Sequence, residues 1–171
     1  MSEDPRLGGI TRLYGNQQTK QLAESHVAIV GIGGVGSWTA EALARSGVGK
    51  LTLIDLDDVC ITNTNRQIHA LSNTIGEAKV DAISARIALI NPNCEVHCVE
   101  DFVTPDNTAE LLTNKLSAVV DATDSVRAKA AMIAHCKRIK VPIVTVGGAG
   151  GQIDPTQVTT GDLSKTTQDP L

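Results

Sequence analysis

Residues 26–45 read HVAIVGIGGVGSWTAEALAR, and this stretch decides the fold. Its first part, His26 to Gly31, is an apolar run bounded by glycine, which predicts a strand buried on both faces. Its last part, Val35 to Arg45, is rich in alanine and leucine and predicts a helix that the glycines at 47 and 49 end. A buried strand joined to a helix by a glycine turn is half of a βαβ unit.

The rest of the chain repeats this alternation of strand and helix. Further strands are predicted at Lys50–Asp55, Glu95–Glu100, Ser117–Asp121 and Val141–Val146, and helices around Gln17–Glu24, Val80–Ile90, Pro105–Asn114 and Ser125–Ile139. Strands that are apolar on both faces and alternate with helices predict a mostly parallel sheet with helices on both faces. The predicted class is α/β.

Length and composition narrow the possible functions. A chain of 171 residues favours one domain. The chain has 15 Lys and Arg against 19 Asp and Glu, and this negative net charge argues against a protein that is permanently bound to nucleic acid. Only 2% of its residues are aromatic, which argues against base stacking as the main mode of binding. Four cysteines without a CxxC pair, and the lack of a secretion signal, predict a reduced, cytoplasmic protein without a membrane segment.

The composition changes after Val146, where a glycine cluster leads into a sequence with few large apolar residues. We therefore divide the chain into an N-terminal helical segment (1–25), a nucleotide-binding domain (26–146) and a glycine-rich crossover (147–171). Val158 and its neighbours are candidates for one edge strand. The crossover looks like the beginning of a part of the protein that is missing from this sequence.

The glycines of the turn fit the GxGxxG pattern at Gly31, Gly33 and Gly36, with Gly34 between them. Such glycines permit a tight turn and let a phosphate approach the backbone at the amino end of a helix. The alternative is a turn that only packs the strand on the helix. A nucleotide site is favoured because Asp55 ends the next strand, where a carboxylate can bind ribose hydroxyls.

The next polar segment distinguishes ATP from NAD. It contains Asn63-Thr-Asn-Arg66-Gln67, and Lys79 follows on the next predicted helix. Cleavage of ATP between its α- and β-phosphates builds up negative charge that cations must stabilise, whereas an NAD site has little need of them. Arg66 and Lys79 therefore favour ATP, although each alone would be interpreted as a solvated surface charge.

Carboxylates near the predicted sheet edge are the candidate metal ligands. Asp124, in Asp121-Ala-Thr-Asp124, is a candidate Mg²⁺ ligand. The alternative is that Asp124 caps a helix that begins at Ser125, and the two roles do not exclude each other. Of Asp57 and Asp58, only Asp57 is favoured as a site residue. His69 is the one histidine placed close to the other site residues, and the cysteines Cys60, Cys94, Cys98 and Cys136 are expected to be small buried hydrophobes.

Together these motifs resemble the E1-like adenylating enzymes, the superfamily of ubiquitin activators and of bacterial sulfur-carrier activators. The resemblance implies a Rossmann-like adenylation domain that uses ATP and Mg²⁺. It places adenosine against the glycine loop and Asp55, phosphates against Asn63, Arg66 and Lys79, and Mg²⁺ on Asp124. It also implies a homodimer, in which Arg12 of one copy reaches the ATP of the other.

Within this superfamily the chain is most similar to the tRNA threonylcarbamoyladenosine dehydratase branch. That similarity implies ATP-dependent cyclisation of threonylcarbamoyladenosine at position 37 of tRNA, with release of AMP and pyrophosphate. A sulfur-transfer or desulfurase-system protein is an implied partner. Two alternatives stay open: adenylation of the C-terminus of a ubiquitin-like sulfur carrier, and a plain nucleotide-binding or NAD-dependent protein.

Overall fold

The computed structural model describes residues 4–167, so that residues 1–3 and 168–171, the outer ends of the predicted N-terminal segment and crossover, lie outside the described residues. Six α-helices and five strands follow one another along this part of the chain. The helices are α1 (Gly8–Tyr14), α2 (Asn16–Ala23), α3 (Gly36–Arg45), α4 (Lys79–Ile90), α5 (Thr108–Leu111) and α6 (Val126–Ile139), and the strands are β1 (His26–Val30), β2 (Lys50–Ile54), β3 (Glu95–Val99), β4 (Ala118–Asp121) and β5 (Ile143–Thr145).

The five strands form one parallel sheet in the order β3-β2-β1-β4-β5. The apolar strand β1 lies in the centre, with Val30 paired to Ile54 of β2 and to Asp121 of β4. All strands therefore end at the same edge of the sheet, and the loops that follow them meet there. This confirms the predicted α/β, Rossmann-like fold.

Helices cover both faces of the sheet because successive side chains of a strand point to opposite faces. Ile29 of β1 packs with α3 and α4, in a core cluster that includes Ile83 and Ile87. Its neighbour Val30 packs on the other face, with α6 and Met132. The continuous apolar character of β1 thus results from burial on both sides.

Three elements differ from the predictions. Helix α1, Gly8–Tyr14, is not among the predicted helices. The helix expected over Pro105–Asn114 contains only Thr108–Leu111, because Asn107 accepts hydrogen bonds from the backbone and side chain of Thr104 and holds the preceding residues in a turn. The edge strand expected around Val158 is absent. There the chain forms a short 3₁₀ turn, Pro155–Gln157, which the side chain of Asp154 caps.

The cysteines were expected to be buried, and this is wrong for Cys60. Cys94 and Cys136 are buried and Cys98 is half-buried, but Cys60 is exposed in the loop after β2. Its sulfur accepts a hydrogen bond from the hydroxyl of Thr62, and such bonds from Thr62 lower the pKa of the thiol. Polar loop contacts, not core packing, determine its place. Within residues 4–167 none of the helices has both the length and the apolarity needed to span a membrane.

Candidate nucleotide-binding site

A cavity of about 860 Å³ lies at the edge where the parallel strands end, and we call it the carboxyl-edge cavity. Its wall includes Val30 and Ile54, the last residues of β1 and β2, and the segments that follow the other three strands. Ligands of open α/β sheets bind at this edge, and the volume is that of a small-molecule site. The fold therefore presents a large cavity at the sheet edge, where the sequence predicted a nucleotide site.

Most of the predicted site residues meet at this cavity. Those that line it are Gly31, Gly33, Gly34, Asp55, Asp57, Arg66, Gln67, Lys79 and Asp124. They come from the turns after β1, β2 and β4 and from the start of α4, and nearly one hundred positions separate the first from the last. The strand order brings them together.

The glycine turn exposes backbone atoms to the cavity because there is no room for side chains on its glycines. Gly31 has a φ of +85°, and a Cβ atom there would lie 2.9 Å from the carbonyl oxygen of Ala122. A Cβ atom on Gly36 would lie 1.7 Å from the carbonyl oxygen of Gly31. Gly36 also begins α3, so the positive end of the helix dipole faces the turn. The arrangement suits a phosphate group.

Asp55 holds the turn after β2 against the glycine turn. One carboxylate oxygen accepts the backbone N–H of Ile32 at 2.6 Å, and the other accepts that of Asp57 at 2.9 Å. The ammonium of Lys79 lies 2.6 Å from Asp57 Oδ2 and 3.9 Å from Asp55 Oδ1. Lys79 is buried except at the cavity, so these two carboxylates fix its charged end there.

Arg66 lies on the other side of the glycine turn. Its side-chain carbons pass so close to Gly34 that a Cβ atom there would lie 3.3 Å from them. The indole N–H of Trp38 donates to the carbonyl oxygen of Arg66 at 2.9 Å. The guanidinium donates to Asn65 Oδ1, also at 2.9 Å, and the residue is exposed. Arg66 therefore presents a positive charge at the cavity rim.

Asp124 lies in the turn between β4 and α6 and is exposed at the cavity. The helix cap is Ser125, whose side chain accepts the N–H of Ala128. The alternative in which Asp124 caps this helix is therefore wrong. Within residues 4–167 no three His, Cys, Asp or Glu side chains form a preassembled metal centre. A Mg²⁺ ion bound here would rely on one carboxylate together with phosphates and water, which is a usual arrangement for this ion.

Other predicted residues lie away from the cavity wall. Gly36 packs closely against the carbonyl oxygen of Gly31 in the turn and does not line the cavity. Asn63 is buried, and its side-chain oxygen accepts the N–H of Cys60. Arg12 is exposed on α1 and does not line the cavity. His69 is buried and does not line it either.

Part of the wall was not expected from the sequence. The segment after β3, residues 101–104, contributes Phe102 among others, and Val146 and the glycine cluster contribute the opposite side. Asp101 follows a strand just as Asp55 does, and this was the available signal. Without the strand order, however, nothing in the sequence places the end of β3 beside the glycine turn.

The residues present fit a nucleotide and a divalent cation. Backbone N–H groups at the start of α3 and the cations of Arg66 and Lys79 suit phosphates. Gln67 Oε1 is a buried acceptor that has no hydrogen-bond partner among the described residues, and Gln67 lines the cavity, where a bound ligand can supply a donor. Asp124 supplies the oxygen donor that Mg²⁺ prefers.

The chain is similar to known proteins in both sequence and fold. The family model described as "ThiF family" matches residues 8–168. The tRNA threonylcarbamoyladenosine dehydratase of Escherichia coli (strain K12) is 61% identical over 166 residues, which are 97% of this chain and 62% of the relative. The crystal structure of the E. coli enzyme in complex with ATP has a TM-score of 0.95 and covers 97% of this chain and 68% of that one. Its complex with AMP has a TM-score of 0.94, with the same coverage of both chains.

The chain thus spans somewhat less than two thirds of the curated E. coli relative, and the shared part contains the five described strands and the carboxyl-edge cavity. The family match extends over nearly the whole chain. This chain is a member of the ThiF family.

Proposed function

We propose that the protein is an ATP-dependent tRNA threonylcarbamoyladenosine dehydratase, which adenylates the carboxylate of the threonylcarbamoyl group at position 37 of tRNA. Pyrophosphate leaves in that step, and ring closure at the activated carboxyl carbon then gives the cyclic nucleoside and releases AMP. The observation that carries the proposal is the meeting of Arg66, Lys79 and Asp124 around one glycine-lined cavity, in a chain 61% identical to a dehydratase of that name.

ATP supplies the phosphorus that the carboxylate attacks and the AMP that leaves. The chain's own contribution is orientation and charge. Gly31 to Gly36 bring backbone N–H groups to the phosphates, and Arg66 and Lys79 stabilise the negative charge that grows as the α–β bond breaks. Gln67 is placed to bind the nucleotide as well. A carboxylate is already a nucleophile, so positioning matters more than a general base.

Asp55 and Asp57 have different parts in this proposal. Asp55 has both oxygens bonded to backbone N–H groups, so it can accept a ribose hydroxyl only through its remaining lone pairs. Asp57 holds the Lys79 ammonium at 2.6 Å and orients it for a phosphate. Asp124 is the proposed ligand of Mg²⁺. Asn63 was predicted to contact the phosphates, but it lies outside the cavity wall with its oxygen bonded to the N–H of Cys60, so its proposed part is to hold the loop that leads to Arg66.

The proposal includes a homodimer. Arg12 lies exposed on α1, outside the cavity of its own chain, so a second copy has to supply the arginine if it is to reach ATP. Exposed apolar side chains on the same helix, Leu13 and Tyr14, support a contact there. The free state of all four cysteines supports a cytoplasmic reaction, in which a sulfur-transfer or desulfurase-system protein is a proposed partner.

The decisive experiment incubates the protein with Mg-ATP and tRNA that contains threonylcarbamoyladenosine. The tRNA is then digested, and the nucleosides are weighed by mass spectrometry. We expect the modified adenosine to lose one water, with one AMP released for each product formed. AMP release without water loss, in the presence of this tRNA, would contradict the proposal and direct the search to the carboxyl terminus of a sulfur-carrier protein.

Two variants connect the reaction to the cavity. Arg66→Ala and Asp124→Ala are expected to abolish AMP formation while the melting temperature stays near that of the wild type, because both side chains are exposed. Arg127→Ala is the matched control, since Arg127 is an equally exposed cation close in sequence but outside the cavity wall. AMP formation at the wild-type rate in either of the first two variants would overturn the assignment.

A further inference from the structure

A buried ion pair lies beneath the carboxyl-edge cavity, between Lys129 of α6 and Asp121 at the end of β4. Lys129 is 4% exposed and Asp121 is fully buried, and the ammonium nitrogen lies 2.7 Å from Asp121 Oδ2. Removing two charges from water costs several kcal/mol per ion, and a close pair only offsets this cost. Stability alone therefore does not explain a charged pair here in place of apolar side chains.

The pair is bonded to both segments that form this side of the cavity. Asp121 Oδ1 accepts the backbone N–H of Thr123 at 3.1 Å and its hydroxyl at 2.8 Å, which bends the chain into the turn that leads to Asp124. The Lys129 ammonium donates a second hydrogen bond to the carbonyl oxygen of Val146 at 3.0 Å. At Val146 the chain leaves β5 for the glycine cluster at 147–151.

Each partner of the ion pair thus fixes one part of the wall. Thr123 and Val146 both line the cavity, whereas Lys129 does not. The backbone N–H of Val146 donates to the carbonyl oxygen of Asp121 at 2.9 Å, and the ion pair adds side-chain contacts to this link, since the carboxylate holds the turn and the ammonium holds the carbonyl oxygen of Val146. A short displacement of this ammonium would shift both.

We propose that Lys129 is a positioning residue for the adenylation reaction. Through Asp121 and the carbonyl of Val146 it sets the distance between the turn that contains Asp124 and the glycine-rich wall at 146–150. This inference rests on the proposed function, because the reaction requires Asp124 and that wall at a fixed separation. Displacements of about 1 Å cost roughly 100-fold in rate.

Three variants test the proposal. Lys129→Met removes the ammonium, leaves Asp121 unpaired and should lower the melting temperature. The double variant Asp121→Asn/Lys129→Met leaves no buried charge and should regain most of that stability. Its kcat for AMP release should remain about 100-fold low, with a smaller change in KM for ATP. The matched control is Glu41→Gln/Arg86→Met, which removes an ion pair between α3 and α4 on the other face of the sheet.

Two further measurements separate positioning from stability. Amide hydrogen exchange in the nucleotide-free protein should be faster at 122–125 and 146–150 in the double variant but unchanged there in the control. The Mg²⁺ concentration that gives half of the maximal rate should rise in the double variant only. If the folded double variant has wild-type kcat and wild-type exchange, the proposal is wrong. If the wild type forms no AMP, the proposed function fails, while the exchange data still decide the role of Lys129.

Discussion

At the scale of the residue, the most unusual side chain near the site is that of His69. It is 1% exposed, and neither ring nitrogen has a hydrogen-bond partner among the described residues. Burial, together with the smaller effect of the nearby Lys79 ammonium, lowers its pKa from the ordinary 6.5 to about 4. The ring is therefore neutral at physiological pH.

This burial predicts a pH dependence of stability. In the unfolded chain His69 has a pKa near its ordinary 6.5. Below that value the unfolded state binds a proton that the folded state does not, so the stabilisation is complete above about pH 6.5 and falls as the pH approaches 4. Between pH 7 and pH 5 we expect His69 to account for a loss of about 2 kcal/mol in the free energy of unfolding.

Urea unfolding at both pH values, on the wild type and on His69→Leu, measures this contribution. Leucine is similar in volume and cannot be protonated, so the variant should lose less stability between pH 7 and pH 5 by that amount. At pH 7 it should differ little from the wild type, because replacing an unpartnered buried polar group by an apolar one costs little. An identical pH dependence in both proteins would show that His69 is not the titrating group.

At the scale of the element, the glycine turn and α3 act as one unit. Gly36 begins the helix and touches the carbonyl oxygen of Gly31, so the helix start is pressed directly against the turn. Ser37, the next residue, donates its N–H to the carbonyl oxygen of Gly33. Close packing of this kind leaves no room for a side chain, and it fixes the direction in which the helix N-terminus points.

Gly36→Ala should therefore disturb the binding of ATP. The new methyl group would lie 1.7 Å from a backbone oxygen, so the turn has to move, at a cost of about 1–3 kcal/mol. We expect a lower urea midpoint and an affinity for ATP at least about tenfold weaker, measured by titration calorimetry. Gly9→Ala in α1 is the control, because nothing lies within 4 Å of its added carbon. The prediction fails if Gly36→Ala binds ATP as the wild type does.

At the scale of the whole molecule, the strand order creates the site. From β1 the chain first moves outward through β2 to β3 and then returns to β4 on the other side. The loops after β1 and β4 therefore diverge, which opens a crevice at the end of the central strand. The carboxyl-edge cavity occupies this crevice. Arg12 lies outside it, and the proposed site is complete only with a second copy.

The proposed dimer predicts complementation between two inactive variants. Arg12→Ala lacks the arginine given to the partner, and Asp124→Ala lacks the ligand for Mg²⁺. When the two are mixed and allowed to exchange subunits, half of the dimers are mixed, and each contains one site with neither defect. We expect AMP formation at about a quarter of the wild-type rate. If the exchanged mixture forms no AMP although each variant alone still binds ATP, then Arg12 is not donated between copies.

Local periodicity along the chain is enough to predict the fold class and most of the elements. A short stretch of sequence is enough to recognise the apolar run of β1 and the glycines of the turn. The same is true of α4, whose apolar residues recur at helical spacing. The short α5 and the turn at Pro155–Gln157 were mispredicted, since side-chain contacts of Asn107 and Asp154 override weak local preferences there. Motif spacing also indicated most residues of the cavity.

Only the tertiary structure decided which of these residues meet. The strand order brings the segment of Phe102 to the cavity and leaves Arg12 outside it. Folding also buries His69 and exposes Cys60, and it joins Lys129 to Asp121 and to the carbonyl of Val146. Such contacts join residues that are far apart in sequence, or join a side chain to a backbone atom. They depend on the packing of the whole sheet, so no local pattern of residues encodes them.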